Sequence, residues 1–267
     1  MQISRLKLST PLQVVLPSLK TALGLGEIPR VAFVGSGGKT TALFQLANEY
    51  TSPVIVTATS RLEIFQTKLA DHHFQFDESQ GWNCSIPLSL SGVTLFSGTK
   101  SMRSVSGLKE NPLQEVLSLA DKASIPLLIE ADGSRRHPLK APDEHEPPIP
   151  KFVDTVVVVA GLSALGKPCT ADWVHRPEVY SKRAGLQLGD PISMAAMKNV
   201  LCHPHGGLKN IPGHARKIAL LNQADTPDLC EIAEQLSHRL LASFDRVVVS
   251  ALNSNTDAPY ITGIYNS

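Results

Sequence analysis

Val31-Ala-Phe-Val-Gly-Ser-Gly-Gly-Lys-Thr-Thr41 is the stretch that decides the fold. Four apolar residues run unbroken into a glycine cluster. After Thr40 the sequence turns helical, with Leu43, Phe44, Leu46 and Ala47 available to pack. A short continuous apolar run predicts a strand buried on both faces, as in a parallel sheet covered by helices. Strand, glycine-rich turn and helix in that order make a phosphate loop. Glycine lets the backbone bend until successive N–H groups point at one anion. The helix N-terminus adds partial positive charge, and Lys39 adds a full one for the β and γ phosphates. The Thr40 hydroxyl is placed to ligate Mg2+. The predicted nucleotide contacts are therefore Gly35, Ser36, Gly37, Gly38, Lys39, Thr40 and Thr41. The usual pattern has a further glycine six residues before the lysine; here that position is Phe33. The plain alternative is a glycine-rich turn with an incidental surface lysine, and the strand-to-helix context favours the loop.

Further apolar runs lie on either side. Val54–Thr57, Val93–Phe96, Leu127–Glu130, Thr155–Val159, Lys217–Leu221 and Arg246–Val249 read as strands. Residues 111–122, with Pro112 in the first turn, and 227–242 read as helices between them. Residues 10–25 have helical spacing, weakened by Pro17. The expected class is α/β: a doubly wound, mostly parallel sheet, P-loop NTPase-like, with a helical insertion. Residues 1–267 are read as a single domain of that kind. The stretch 163–214 is too long for a simple crossover and is read as a helical insertion or lid, with a helix from Pro191 to Cys202. Residues 133–150 carry five prolines and are read as irregular.

Composition narrows the function. Net charge is +1, with neither a basic block nor an acidic tail, so no nucleic-acid footprint is expected. The four cysteines form no C-x-x-C pair, which argues against a disulfide framework or zinc ribbon. The start of the chain has no apolar segment before a cleavage site, and no apolar run reaches the ~18 residues of a membrane span. The expectation is a cytoplasmic protein without a membrane partner.

Leu127-Leu-Ile-Glu130-Ala-Asp132-Gly133 puts two carboxylates at the end of a buried strand. That edge is where open α/β sheets bind ligands. Phosphate-loop proteins place a Mg2+-holding or water-orienting acid there. Glu130 or Asp132 would join Thr40 at the metal; a simple Asp-Gly turn is the alternative. Ser134-Arg135-Arg136-His137-Pro-Leu-Lys140 follows, a loop able to clamp a second anion or a solvated basic loop. Arg135 or Arg136 is the candidate for stabilising transition-state charge beside Lys39. The paired His203 and His205 have no Cys or acid partner at a known zinc spacing.

Leu220-Leu-Asn222-Gln-Ala-Asp225 ends another strand. In GTP-binding proteins the comparable strand ends in Asn-Lys-x-Asp, where the Asp reads guanine. Asn222 and Asp225 fit this pattern, and Gln223 replaces the lysine. The alternative is that Asp225 or Thr226 caps a helix starting at Pro227.

Seven motifs then occur in one order: Gly-Ser-Gly-Gly-Lys-Thr-Thr; Glu-Ala-Asp-Gly-Ser-Arg; Pro-Leu-Lys-Ala-Pro with His-Glu-Pro-Pro-Ile-Pro; Gly-Leu-Ser-Ala-Leu-Gly-Lys-Pro; Val-His-Arg-Pro-Glu; His-Pro-His-Gly-Gly-Leu-Lys; and Leu-Asn-Gln-Ala-Asp. Over residues 20–252 the chain resembles the YqeC family of selenium-dependent hydroxylase accessory proteins. The resemblance implies a phosphate-loop protein that binds ATP or GTP with Mg2+ and hydrolyses it during selenium cofactor maturation of molybdenum hydroxylases. A selenium-dependent molybdenum hydroxylase or its cofactor-maturation proteins are the implied partners. The rival readings are a small-molecule kinase or ligase acting on a selenium or cofactor intermediate, and a non-catalytic nucleotide-switched adaptor. Two departures stand out. Thr57-Ala-Thr-Ser-Arg61 replaces a Thr-Thr-Thr-Lys-like run, and Gln223 replaces the lysine of Asn-Lys-Ala-Asp.

Overall fold

The computed structural model describes residues 17–86, 89–252 and 260–267. Ten strands form one sheet. In chain order they are β1 (Arg30–Gly35), β2 (Val54–Ala58), β3 (His72–Asp77), β4 (Gly81–Trp82), β5 (Val93–Ser97), β6 (Leu127–Glu130), β7 (Thr155–Gly161), β8 (Arg216–Asn222), β9 (Arg246–Ala251) and β10 (Tyr260–Asn266). Across the sheet the order is β10-β9-β8-β7-β1-β6-β2-β5-β3-β4. Neighbours run parallel except at the two ends, where β9 meets β10 and β3 meets β4 antiparallel.

The apolar runs are continuous because both sides of the sheet are covered. In β1, Val31 and Phe33 join the core on one face, and Ala32 and Val34 join the core on the other. The first face is covered by α1 (Leu19–Leu23) and α2 (Lys39–Asn48). The second is covered by α3 (Glu110–Ala123), α4 (Pro177–Ala184), α5 (Met194–Leu201) and α6 (Pro227–Leu240). Helices on both faces of a mostly parallel sheet fit a doubly wound α/β fold. The chain turns opposite ways from β1, towards β6 and β2 on one side and β7 and β8 on the other. The loop after β1 therefore lies at the switch point, where such sheets bind ligands.

Every strand expected from the sequence is present. The strands not expected, β3, β4 and β10, are the last ones at either edge. The helix expected over residues 10–25 is α1 alone within the described residues; Leu12, Val15 and Leu16 lie outside them. Ser18 accepts the Thr21 amide as N-cap, and Gly24 closes the helix at φ 62°. The stretch 163–214 holds α4 and α5, and the latter starts three residues after the expected Pro191. No helix among the described residues is long and apolar enough to cross a membrane.

Candidate functional site

The turn Gly35–Gly38 joins β1 to α2 and is built against β7 and β8. Gly37 has φ 84°, and a Cβ there would come within 2.3 Å of the Gly161 nitrogen. Gly38 has φ 119°, and its Cβ would meet the Asn222 amide at 2.4 Å. Both positions combine a left-handed backbone with contact too close for a side chain. Asn222, only 1% exposed, donates from Nδ2 to the Gly37 carbonyl at 2.7 Å. Its Oδ1 accepts the Leu252 amide at 2.8 Å and the Ser250 hydroxyl at 3.2 Å. Asn222 thus ties the loop to the end of β9.

The loop amides divide into two sets. Ser36 N–H donates to Val159 O at 2.9 Å, Gly37 N–H to His137 O at 3.1 Å and Gly35 N–H to Asp132 Oδ2 at 2.9 Å. By contrast, the amides of Gly38, Lys39, Thr40 and Thr41 have no acceptor among the described residues, and α2 has no side-chain N-cap. These four are the unsatisfied donors of a helix start, with the partial charge of its dipole.

The carboxylates meet this corner from β6. Thr40 Oγ1 donates to Glu130 Oε2 at 2.6 Å, and Gln66 Nε2 donates to Thr40 Oγ1 at 2.9 Å. Lys39, 3% exposed, lies 3.2 Å from Asp132 Oδ1 and 3.9 Å from Glu130 Oε1. Its ammonium also donates to Gly35 O at 2.8 Å and Ser134 Oγ at 3.2 Å. Burial raises the Glu130 carboxyl above the ordinary range, against the opposing pull of Lys39 and the Thr40 hydrogen bond. Both carboxylates reach the loop, because the chain leaves regular strand geometry after Glu130.

A line of alternating charge continues outwards. Lys140 bridges Asp132 Oδ2 and Glu146 Oε2, each at 2.9 Å, and donates to Gly133 O at 2.6 Å. Arg176, at the start of α4, holds Glu146 through two hydrogen bonds at 2.8 and 3.1 Å. Burial works against the charged form of Glu146, but Arg176 and Lys140 outweigh it and hold the carboxyl down at about 2. Burial, then Arg176 and Lys140, push the His175 imidazole down to about 4. On the other side of the loop, Gly35, Ser36, Asp132, Lys140 and Tyr180 line a cavity of about 30 Å³. The Tyr180 hydroxyl and Asp132 Oδ1 are both buried without a hydrogen-bond partner among the described residues.

The structure thus gathers Gly35, Ser36, Gly37, Gly38, Lys39, Thr40, Thr41, Glu130 and Asp132 at one corner. Asn222 touches this corner as a structural tie to Gly37 O, and Arg135, Arg136 and Asp225 are not gathered there. Arg135 is exposed and makes no ion pair among the described residues. Arg136 turns outward to Glu63 and the Phe65 ring. Asp225 is exposed, and the N-cap of α6 is Thr226, which accepts the Leu229 amide at 3.3 Å. Gln223 has φ 68°, and its Oε1 accepts the Ser163 hydroxyl at 2.6 Å. His203 Nδ1 accepts the His205 amide at 3.0 Å, a local turn contact. The sequence did not single out Gln66, and Ser134, Glu146 and Arg176 stood only within motifs, without a role at this corner. Lys140 was read only as one cation of a basic loop. Its placement in a short buried pairing of Leu139–Lys140 with Val174–His175 is what aims it inward.

The group fits a magnesium ion in donor chemistry. One hydroxyl and two carboxylates are hard oxygen ligands. Asp132 Oδ1, though 3.2 Å from the Lys39 ammonium, is buried and accepts no hydrogen bond among the described residues. A family model described as YqeC protein matches residues 31–178, which include every member of the charged line from Lys39 to Arg176. A protein of Escherichia coli (strain K12) described as "Uncharacterized protein YqeC" is 32% identical over 205 residues, 75% of this chain and 78% of that protein.

Proposed function

We propose that this chain, which belongs to the YqeC family, is a P-loop NTPase-like protein that binds a magnesium nucleoside triphosphate at the turn Gly35–Thr41. The observation that carries this reading is the convergence at one corner of four unbonded amides, Lys39, Thr40, Glu130 and Asp132. The amides and the Lys39 ammonium would gather the phosphate oxygens. Thr40, Glu130 and Asp132 would hold Mg2+, which supplies charge neutralisation at the phosphates. Glu130 keeps the Thr40 hydroxyl oriented by accepting its hydrogen bond at 2.6 Å. Hydrolysis at such a site is chiefly positioning and electrostatics, and Lys39 is the cation already in place for it. By family resemblance, the turnover serves selenium cofactor maturation of molybdenum hydroxylases in the cytoplasm.

Asp132 supports a second reading. Its carboxylate already takes the Gly35 amide and the Lys39 charge. A nucleotide must displace it, so binding brings a rearrangement of the loop. That favours a nucleotide-switched adaptor, with or without turnover. Isothermal titration of the full chain with Mg·ATP and Mg·GTP, alongside a phosphate-release assay, tests both. Saturable binding that Lys39→Ala abolishes supports the site. Equal titrations of wild type and Lys39→Ala would overturn it, and binding without released phosphate would select the adaptor.

A further inference from the structure

Residues 59–69 and 98–106 fold as one small unit beyond the ends of β2 and β5. Leu62 and Glu63 pair antiparallel with Val105 and Ser104, and the Ile64 amide continues the ladder to Arg103 O at 3.0 Å. Phe65 and Leu69 lie on the 3-10 helix Ile64–Leu69 that follows, and Met102 lies in the turn closed by the Ser101 amide on Ser104 O at 2.7 Å. Buried Leu62 and Val105 close the inner side of the unit. Phe65, Leu69 and Met102 of the same unit are exposed by 50, 49 and 93%. Scattered exposed apolar residues need no explanation, but three on one small unit mark an interaction surface.

The charge around them has one sign. Arg61, Lys68, Lys100 and Arg103 are exposed and make no ion pair among the described residues. The one acid in the two segments is Glu63, and Arg136 holds it while lying over the Phe65 ring. We infer that this face docks a protein segment that is acidic and carries apolar side chains. The apolar groups would bury against Phe65, Leu69 and Met102, inside a rim where partner carboxylates meet unpaired cations.

The unit also touches the candidate site. Gln66 donates to Thr40 Oγ1 at 2.9 Å, while its Oε1 accepts the Glu63 amide at 2.8 Å. On the nucleotide reading, upon which this step alone rests, a ligand that claims the Thr40 hydroxyl competes with Gln66 and shifts the docking face. Occupancy of the site then sets affinity for the partner.

Fluorescence anisotropy on the full chain tests both parts. The probes are a labelled peptide alternating Glu and Leu and its Lys-Leu counterpart, with and without Mg·ATP or Mg·GTP, and nucleotide binding is titrated in the same samples. The expected result is saturable binding of the acidic peptide. F65S/M102S should weaken it about tenfold, the loss of one strong contact. K100E/R103E should reverse the preference towards the Lys-Leu peptide. Equal binding of both peptides, no saturation, or indifference to these substitutions would overturn the docking face. Nucleotide that binds should change peptide affinity in wild type and not in Gln66→Ala; an unchanged affinity with nucleotide bound would overturn the coupling. Failure of nucleotide to bind at all would reject the nucleotide reading instead, and the peptide titrations would still decide the docking face.

Discussion

Asp132 accepts the Gly35 amide at 2.9 Å through the same oxygen that Lys140 holds at 2.9 Å. One buried carboxylate therefore closes the turn after β1 and compensates two lysines, because Lys39 lies 3.2 Å from its other oxygen. Removing one partner of a buried ion pair leaves an uncompensated charge. Asp132→Ala is expected to destabilise the fold by about 3 kcal/mol, the low end for such a loss because Lys140 keeps Glu146 and the Gly133 carbonyl. Urea unfolding measures it. Sulfate should raise the melting temperature of the variant more than that of wild type, since an anion then meets two freed ammonium groups. Equal shifts would mean that Asp132 does not occupy the anion position.

Asn222 and Asp225 divide cleanly by environment. Both polar ends of the Asn222 amide are used inside the protein, whereas Asp225 is in solvent. Asn222→Ala would strand the Gly37 carbonyl and the Leu252 amide, each at about 1–3 kcal/mol. The expected outcome is a clear fall in unfolding free energy and weaker binding of ATP and GTP by the same factor. Asp225→Ala should leave stability within about 0.5 kcal/mol. A change in the ATP to GTP ratio with Asp225→Ala would instead give Asp225 a base-reading role.

Two groups along the charged line give acid sensitivity in separate pH windows. The Glu146 carboxyl is held at about 2, below its ordinary 4.5. Its contribution is complete above 4.5 and is lost as pH falls towards 2. The His175 imidazole is held at about 4, below its ordinary 6.5, so the unfolded chain binds the proton first. Stability then declines as pH falls from 6.5 to 4. Glu130 has the opposite sign: burial raises its carboxyl, so ionising it costs stability as pH rises above 4.5. Urea unfolding between pH 7 and 3 should show a flatter upper window in His175→Gln and a flatter lower window in Glu146→Gln. Superimposable profiles would refute the assignment.

The central strands were legible because burial on both faces leaves a continuous apolar run, as in Thr155–Gly161. The strand His72–Asp77, flanked on its outer side only by the two-residue β4, has mostly half-exposed side chains, so its sequence alternates and gives no such run. The glycine turn after β1 was legible because close approach requires glycine at Gly37 and Gly38. The parts played by Gln66 and Arg176 were not, because each reaches its partner across a long sequence gap; that of Glu146 was not, because only the inward turn of Lys140, six residues away, brings it to the line. The doublet Arg135–Arg136 misled for a related reason. Both residues have positive φ, and Arg136 pairs with Glu63 instead of reaching the glycine turn.

The turn itself gives the last prediction. Gly37 has φ 84°, and any Cβ there would lie 2.3 Å from the Gly161 nitrogen and 2.8 Å from the Pro138 carbonyl oxygen. Neither obstacle is the flexible end of a side chain. Gly37→Ala must then carry the left-handed backbone cost of about 1–2 kcal/mol and, in addition, push the loop off β7. Moving the loop breaks the Asn222 contact and misaims the amides that follow. Gly133, four residues before His137, is the control: a Cβ there would have no atom of the described residues within 4 Å, and its φ is not positive. Gly133→Ala should fold and bind nucleotide as wild type does, while Gly37→Ala should lose both stability and binding. Melting curves with and without Mg·ATP distinguish the two, and full retention of ligand stabilisation in Gly37→Ala would show that the turn is not what holds the phosphates.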